Sequence, residues 1–148
     1  MEKKSILFVC LGNICRSPIA QGVAQQYAKV KGLDLEIDSA GTGDWHINEA
    51  PCDDSIRIAN ANGINIAEQR ARQIVKNDLK KYDLIVGLDD KNITSLKLLG
   101  CKEAILLGDY GCEGENIPDP YFFDGYEGFD KVYEMIELCV KNLIDKRC

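Results

Sequence analysis

An apolar run extends from Ser5 to Val9, unbroken from Ile6 on, and beyond it short apolar runs alternate with longer segments of helical period. A run with no polar interruption predicts a strand buried on both faces. From residue 19 to residue 31 the period changes. Ile19, Val23, Tyr27 and Val30 fall on one helical face, and Gly32 suits a left-handed C-terminal cap. Ser17 is predicted as the N-cap of this helix and Pro18 as its first residue. Residues 33–39 alternate as a second strand. A helix capped by Asp53 or Asp54 carries Ile56 and Ile58 and stops near Gly63. Residues 64–73 read as irregular and polar, and 75–81 as a short helix. Residues 82–88 form a third strand. Asp89 then caps a helix through Ile93, Leu96 and Leu99 that Gly100 ends. A fourth strand over 104–107 and a long loop over 108–128 lead to a final helix over 129–146. There Val132, Ile136, Cys139 or Val140, and Leu143 face inward.

Strands that alternate with helices predict an α/β fold in three layers. A four-stranded parallel sheet is flanked by helices on both faces, in a single domain over residues 1–148. In such sheets ligands bind beyond the carboxyl ends of the strands, where the strand order reverses. The loop after strand 1 leaves the sheet at that edge.

Composition narrows the reading without changing it. The 148 residues are 45% hydrophobic and 28% charged, as a soluble globular chain requires. A net charge of −6 argues against an extended nucleic-acid surface. No segment is long enough to span a bilayer. Lys3 and Lys4 precede an apolar run too short for a signal peptide and lacking a cleavage site. The seven cysteines are odd in number and irregular in spacing, with no zinc pattern. The expectation is a reduced, cytoplasmic monomer with no metal and no cofactor.

The chemistry concentrates between strand 1 and the first helix, in Val9-Cys10-Leu11-Gly12-Asn13-Ile14-Cys15-Arg16-Ser17-Pro18. A loop that feeds a helix N-terminus points backbone N–H groups into one concavity, and the helix dipole adds positive potential there. Leu11, Gly12, Asn13, Ile14, Cys15, Arg16 and Ser17 are therefore expected to cradle a phosphate or similar oxyanion. The same field favours the thiolate at Cys10. Arg16 offers a bidentate grip on two oxygens. The Ser17 hydroxyl can donate to the sulfur or assist its departure.

The string Cys, five residues, Arg, Ser resembles the active-site loop of protein tyrosine phosphatases. Its form here, so close to the start of a chain of this length, is similar to the low-molecular-weight protein tyrosine phosphatase family. The resemblance covers nearly the whole chain. It implies hydrolysis of phosphotyrosine in proteins or peptides through a cysteinyl-phosphate, with Cys10 as nucleophile, Arg16 as phosphate clamp and Asp119 as general acid and base. Asp119 stands in Ile117-Pro118-Asp119-Pro120-Tyr121, where two prolines stiffen the loop. Alone, that string reads more readily as an ordinary proline turn with a capping Asp.

The resemblance assigns further roles. Asn13 would hold the strained loop and Ser39 would be one of its partners; a turn asparagine and a strand-end serine are the plainer readings. Asp89 would orient Arg16, or is a simple N-cap. Trp45 and Tyr121 would rim the cleft, or Trp45 packs on the core. Cys15 would trap oxidised Cys10 as a reversible disulfide, or is a small buried hydrophobe. Cys52, Cys101, Cys112, Cys139 and Cys148 read as structural or incidental, and His46 as a rim or surface residue. Two competing activities share the fold. Thioredoxin-coupled arsenate reductases need two more cysteines after strand 3, where only Cys101 occurs. Phosphoarginine phosphatases typically carry threonine where this chain has Ile14. A silent phosphopeptide-binding module would not need Asp119.

Overall fold

The structure, a computed structural model, describes residues 4–120 and 127–148, with the Glu127 side chain excluded. Strand β1 (Lys4–Cys10) is followed by α1 (Arg16–Lys31), β2 (Leu35–Gly41), α2 (Asp53–Ala61), α3 (Asp78–Lys81), β3 (Leu84–Gly87), α4 (Asp90–Leu99), β4 (Ala104–Leu106) and α5 (Glu127–Arg147). A 3-10 turn, Leu107–Tyr110, follows β4. The four strands are parallel, in the order β2-β1-β3-β4. The chain winds outward in one direction from β1 to β2 and in the other through β3. The switch point therefore lies between β1 and β3, beside Cys10 and Leu88.

Strand β1 is central, and its alternation divides the core. Ile6, Phe8 and Cys10 face the layer of α1, α2 and α5, where they meet Ile19, Val23, Ile58, Val132, Ile136 and Leu143. Leu7 and Val9 face the opposite layer, with Ile74, Tyr82, Ile85 and Leu96. Burial on both sides explains the absence of polar interruption. Each fully buried side chain contributes roughly 1.5–3 kcal/mol.

The boundaries correct the sequence reading in several places. Helix α1 starts at Arg16 with Cys15 at the N-cap, so Ser17 and Pro18 lie inside the first turn. The Ser17 hydroxyl is engaged elsewhere, and proline is still tolerated there because first-turn N–H groups have no partner in the helix. Val30 is 75% exposed. The buried stripe keeps Ile19 and Val23 and is continued by Ala20, Ala24 and Ala28 rather than by Val30. Strand β2 starts and ends two residues later than its pattern suggests, and β3 and α3 are shorter than predicted. The segment 64–73 carries no helix or named strand, yet Ile64, Ile66 and Ala71 within it are buried. The C-terminal caps at Gly32 and Gly100, with φ of 70° and 114°, stand as predicted. The predicted core face of α5 stands too, with Cys139 and Val140 both fully buried.

Candidate active site

The loop from Cys10 to Ser17 is shaped by what its carbonyls bind. Thr42 N–H donates to Cys10 O at 2.9 Å, Gly43 N–H to Leu11 O at 2.9 Å and Cys52 N–H to Ile14 O at 2.8 Å. The Ser55 hydroxyl donates to Cys15 O at 3.1 Å. In a trans peptide the N–H points opposite the C=O, so the N–H groups of Leu11, Gly12, Cys15 and Arg16 turn to the inner side. The loop therefore presents donors to its concave face at the positive end of a 16-residue helix. Gly41 permits this seating, since a Cβ there would stand 2.8 Å from Leu11 O.

Cys10 ends β1 at the floor of the concavity and is 3% exposed. Asn13 N–H donates to its Sγ at 3.2 Å, and Ser17 Oγ lies 2.9 Å from the same sulfur. Ser17 Oγ accepts from Asn13 Nδ2 at 2.8 Å, which leaves its own proton to point at the sulfur. Two donors therefore face Sγ. Asn13 supplies most of the scaffold. It adopts φ of 58°, a left-handed conformation asparagine tolerates. Its Nδ2 also donates to Ser39 Oγ at 2.9 Å, and its Oδ1 accepts from Arg72 N–H at 3.0 Å. Ser39 Oγ in turn donates to Gln21 Oε1 at 2.5 Å.

Arg16 is 7% exposed. Its Nη1 donates to Asp89 Oδ2 at 2.7 Å and to Ile117 O at 2.8 Å. Both bonds use one nitrogen, and among the described residues no acceptor binds Nε or Nη2, which leaves those donors to a ligand. Asp89 is at once the clamp of Arg16 and a cap: its Oδ1 accepts from Asn92 N–H at 2.8 Å at the start of α4. The two sequence readings of Asp89 are one arrangement. Ile117 fixes the segment that carries Asp119, because its N–H donates to Leu88 O at 2.8 Å at the end of β3.

A cavity of about 190 Å³ opens over Cys10 and Arg16, walled by Ile14, Trp45, His46 and Asp119. Trp45 is 67% exposed and lies across Gly43, where any side chain would collide with the indole. It is a rim residue, not a core one. His46 rests against Gly12 and pairs with Glu49 through Nδ1 at 2.8 Å. A neighbouring cavity of about 490 Å³ shares Leu11, Arg16 and Asp119 and extends to Lys91 and Asn116. A cavity of about 610 Å³ beside Leu79, Tyr82 and Cys101 is reached by none of the predicted site residues.

Cys10, Asn13, Ser17 and Ser39 thus form one network, Arg16 and Asp89 a second, and Trp45 and Asp119 line the same cavity as Cys10 and Arg16. Tyr121 lies outside the described residues. Three contributors escape the sequence reading. Arg72 supplies the amide that holds Asn13. Its guanidinium is bound by Asp78 at 3.0 Å and Asp38 at 3.1 Å. Burial alone would lower its pKa, but the hydrogen bonds and charges of these carboxylates more than offset it, and the net shift is upward. Gln21 anchors Ser39. Cys52, read as incidental, has its Sγ 3.0 Å from that of Cys15.

The family described as low molecular weight phosphotyrosine protein phosphatase matches residues 5–147. The low molecular weight phosphotyrosine protein phosphatase 1 of Drosophila melanogaster is 38% identical, over 88% of each chain. The low molecular weight protein-tyrosine-phosphatase YfkJ of Bacillus subtilis is 40% identical, over 83% of this chain and 84% of its own. The crystal structure of YfkJ superposes with a TM-score of 0.90, covering 99% of this chain and 95% of that one at 34% identity.

Proposed function

The chain belongs to the low molecular weight phosphotyrosine protein phosphatase family and is a protein-tyrosine phosphatase; we propose that Cys10 is the nucleophile of a two-step phosphotyrosine hydrolysis. Cys10 Sγ attacks phosphorus, the bond to the tyrosyl oxygen breaks, and Asp119 gives that oxygen its proton. The Asp119 carboxylate then takes a proton from a water that attacks the cysteinyl-phosphate, and the S–P bond breaks to return the thiolate. The loop amides and Arg16 hold the equatorial oxygens in both steps. Asn13, Ser17, Ser39 and Asp89 keep the sulfur and guanidinium in place. Trp45 and Ile14 give the phenyl ring apolar contact, with Tyr121 as a further rim residue. Ile14 suits an aromatic ester better than phosphoarginine. The cysteine usage supports a reducing, cytoplasmic setting, and the substrate is a tyrosine-phosphorylated protein or peptide met by a monomer.

One observation carries the reading. Cys10 Sγ, with donors from Asn13 and Ser17, shares a cavity with Arg16 and a carboxylic acid that a buried hydrogen bond at Ile117 positions. Cys10→Ser should keep phosphate binding, measured by calorimetry, and lose aryl phosphate turnover. Asp119→Asn should lower kcat by about 10²–10⁴-fold, most for aryl phosphates with poor leaving groups. Turnover by Cys10→Ser, or an Asp119→Asn loss independent of the leaving group, would reject the assignment.

A further inference from the structure

We propose that Cys52 is a second redox residue of this site, which takes Cys15 as a disulfide partner and thereby returns oxidised Cys10 to its active thiolate. The proposal rests on the reading of Cys10 as the ionised nucleophile. Its own warrant is the 3.0 Å contact between Cys15 Sγ and Cys52 Sγ. Both residues are half-buried, so small oxidants and reductants reach them. In the reduced protein Cys10 Sγ is held instead by Ser17 and Asn13.

The backbone around the pair is already fastened. Cys52 N–H donates to Ile14 O, and the Ser55 hydroxyl donates to Cys15 O. Ser55 Oγ also lies 3.1 Å from Cys52 Sγ. Drawing the two sulfurs from 3.0 Å to a bond of about 2.05 Å asks for a movement of about 1 Å, and the loop carbonyls keep their partners. Cys52 sits at the N-cap of α2, directly before the first turn of that helix.

The chemistry balances with hydrogen peroxide as oxidant. The Cys10 thiolate attacks peroxide, the O–O bond breaks, hydroxide leaves, and Cys10 becomes a sulfenic acid. The Cys15 thiol condenses with it, forming an S–S bond and releasing water. The Cys52 thiolate then attacks Cys15 Sγ. The Cys10–Cys15 bond breaks, and its electron pair leaves on Cys10 as thiolate. In sum two thiols are oxidised to the Cys15–Cys52 disulfide and one peroxide is reduced to two waters. The direction follows from the site. A Cys10–Cys15 bond takes Cys10 Sγ away from its amide and hydroxyl donors, whereas a Cys15–Cys52 bond leaves them in place. A stabilised thiolate is also the better leaving group.

The test adds one equivalent of peroxide to the fully reduced chain, follows aryl phosphate hydrolysis, and maps disulfide-linked peptides after alkylation. Wild type should retain activity and carry the Cys15–Cys52 link. Cys52→Ser, compared with its own untreated activity, should lose activity, carry the Cys10–Cys15 link, and recover with dithiothreitol. Cys52→Ala serves as a second variant should serine disturb the helix start. Wild type that ends with the Cys10–Cys15 link, or Cys52 variants that resist the first equivalent as wild type does, overturns the proposal. Retained aryl phosphate turnover in untreated Cys10→Ser would reject the nucleophile assignment, whereas the disulfide map tests Cys52, so the two readings fail separately.

Discussion

Two helices start at the same edge of the sheet, on either side of the switch point, and their first turns are treated in opposite ways. Helix α4, after β3, is closed by protein side chains, two from its own start and one from the loop after β4. Asp89 Oδ1 accepts from Asn92 N–H, Asn92 Oδ1 accepts from Asp89 N–H at 3.1 Å, and Asn116 Oδ1 accepts from Asp90 N–H at 2.9 Å. Helix α1, after β1, receives no side-chain cap. The residue suited to that task, Ser17, is turned to Cys10. A helix end whose cap is withheld keeps N–H donors for a ligand, and one whose cap is supplied has already spent them. The two ends are joined by one ion pair, because the capping carboxylate of α4 also holds Arg16 of α1.

Removing that junction should give the largest effect. Asp89→Ala deletes a cap and leaves the Arg16 guanidinium buried without its carboxylate. The cost should be roughly 3–5 kcal/mol for the broken pair, with about 1 kcal/mol more for the cap. Asp89→Asn separates the two functions, since asparagine caps a helix as well as aspartate does. It should unfold at a denaturant concentration closer to wild type and still show a depressed kcat/KM for aryl phosphates. If Asp89→Asn matches wild type in turnover, the carboxylate acts only as a cap and the link between the helices has no catalytic role.

The next effect should come from the uncapped side. Asn13→Ala removes the donor to Ser17 and Ser39 and the acceptor of Arg72 N–H, and it puts a Cβ-bearing residue that resists left-handed φ where φ is 58°. Stability should fall by about 2–3 kcal/mol in chemical denaturation, from unsatisfied buried groups. Asn13→Gly restores the backbone freedom without the hydrogen bonds. It should recover part of the stability and little of the turnover, if the side chain's main task is to aim Ser17 at the sulfur. Equal recovery of both would mean that backbone strain, not the side-chain network, governs the loop.

How much of this was legible in the chain depends on the range over which each feature is decided. The α/β order and the parallel sheet come from period alone, because β1 is apolar on both faces and α4 and α5 keep regular stripes. Cys10, Arg16 and the cap at Asp89 lie within local patterns of a strand end and a helix start. The start of α1 was misplaced because Ser17 has a tertiary partner that outcompetes local capping. Val30 falls on the same helical spacing as Ile19 and Val23, and spacing alone cannot tell that the buried stripe ends at Ala28. Arg72 is 59 residues from Asn13 and acts through its backbone, so its side chain gives no sign of the contact. Cys52 is likewise invisible: its 37-residue separation from Cys15 matches no motif, and only the folded loop brings the sulfurs together.

The mildest perturbation needs no substitution. Phosphate that binds at the start of α1 should stabilise the chain by about 2.7 kcal/mol at a hundredfold excess over its Kd. Measured by hydrogen exchange, protection should rise at the amides of Gly12, Cys15 and Arg16, which the carbonyl bonds turn inward. The first amides of α4 already have acceptors in Asp89, Asn116 and the Asp89 carbonyl, the last taking Ile93 N–H at 3.1 Å. They should gain no more than the global stabilisation gives every slowly exchanging amide. A larger gain at Asp90 and Asn92 than at Gly12 would place the anion at the capped helix and reverse the comparison. The two ends differ in whether an acceptor is already present, so only the end without one should register the ligand.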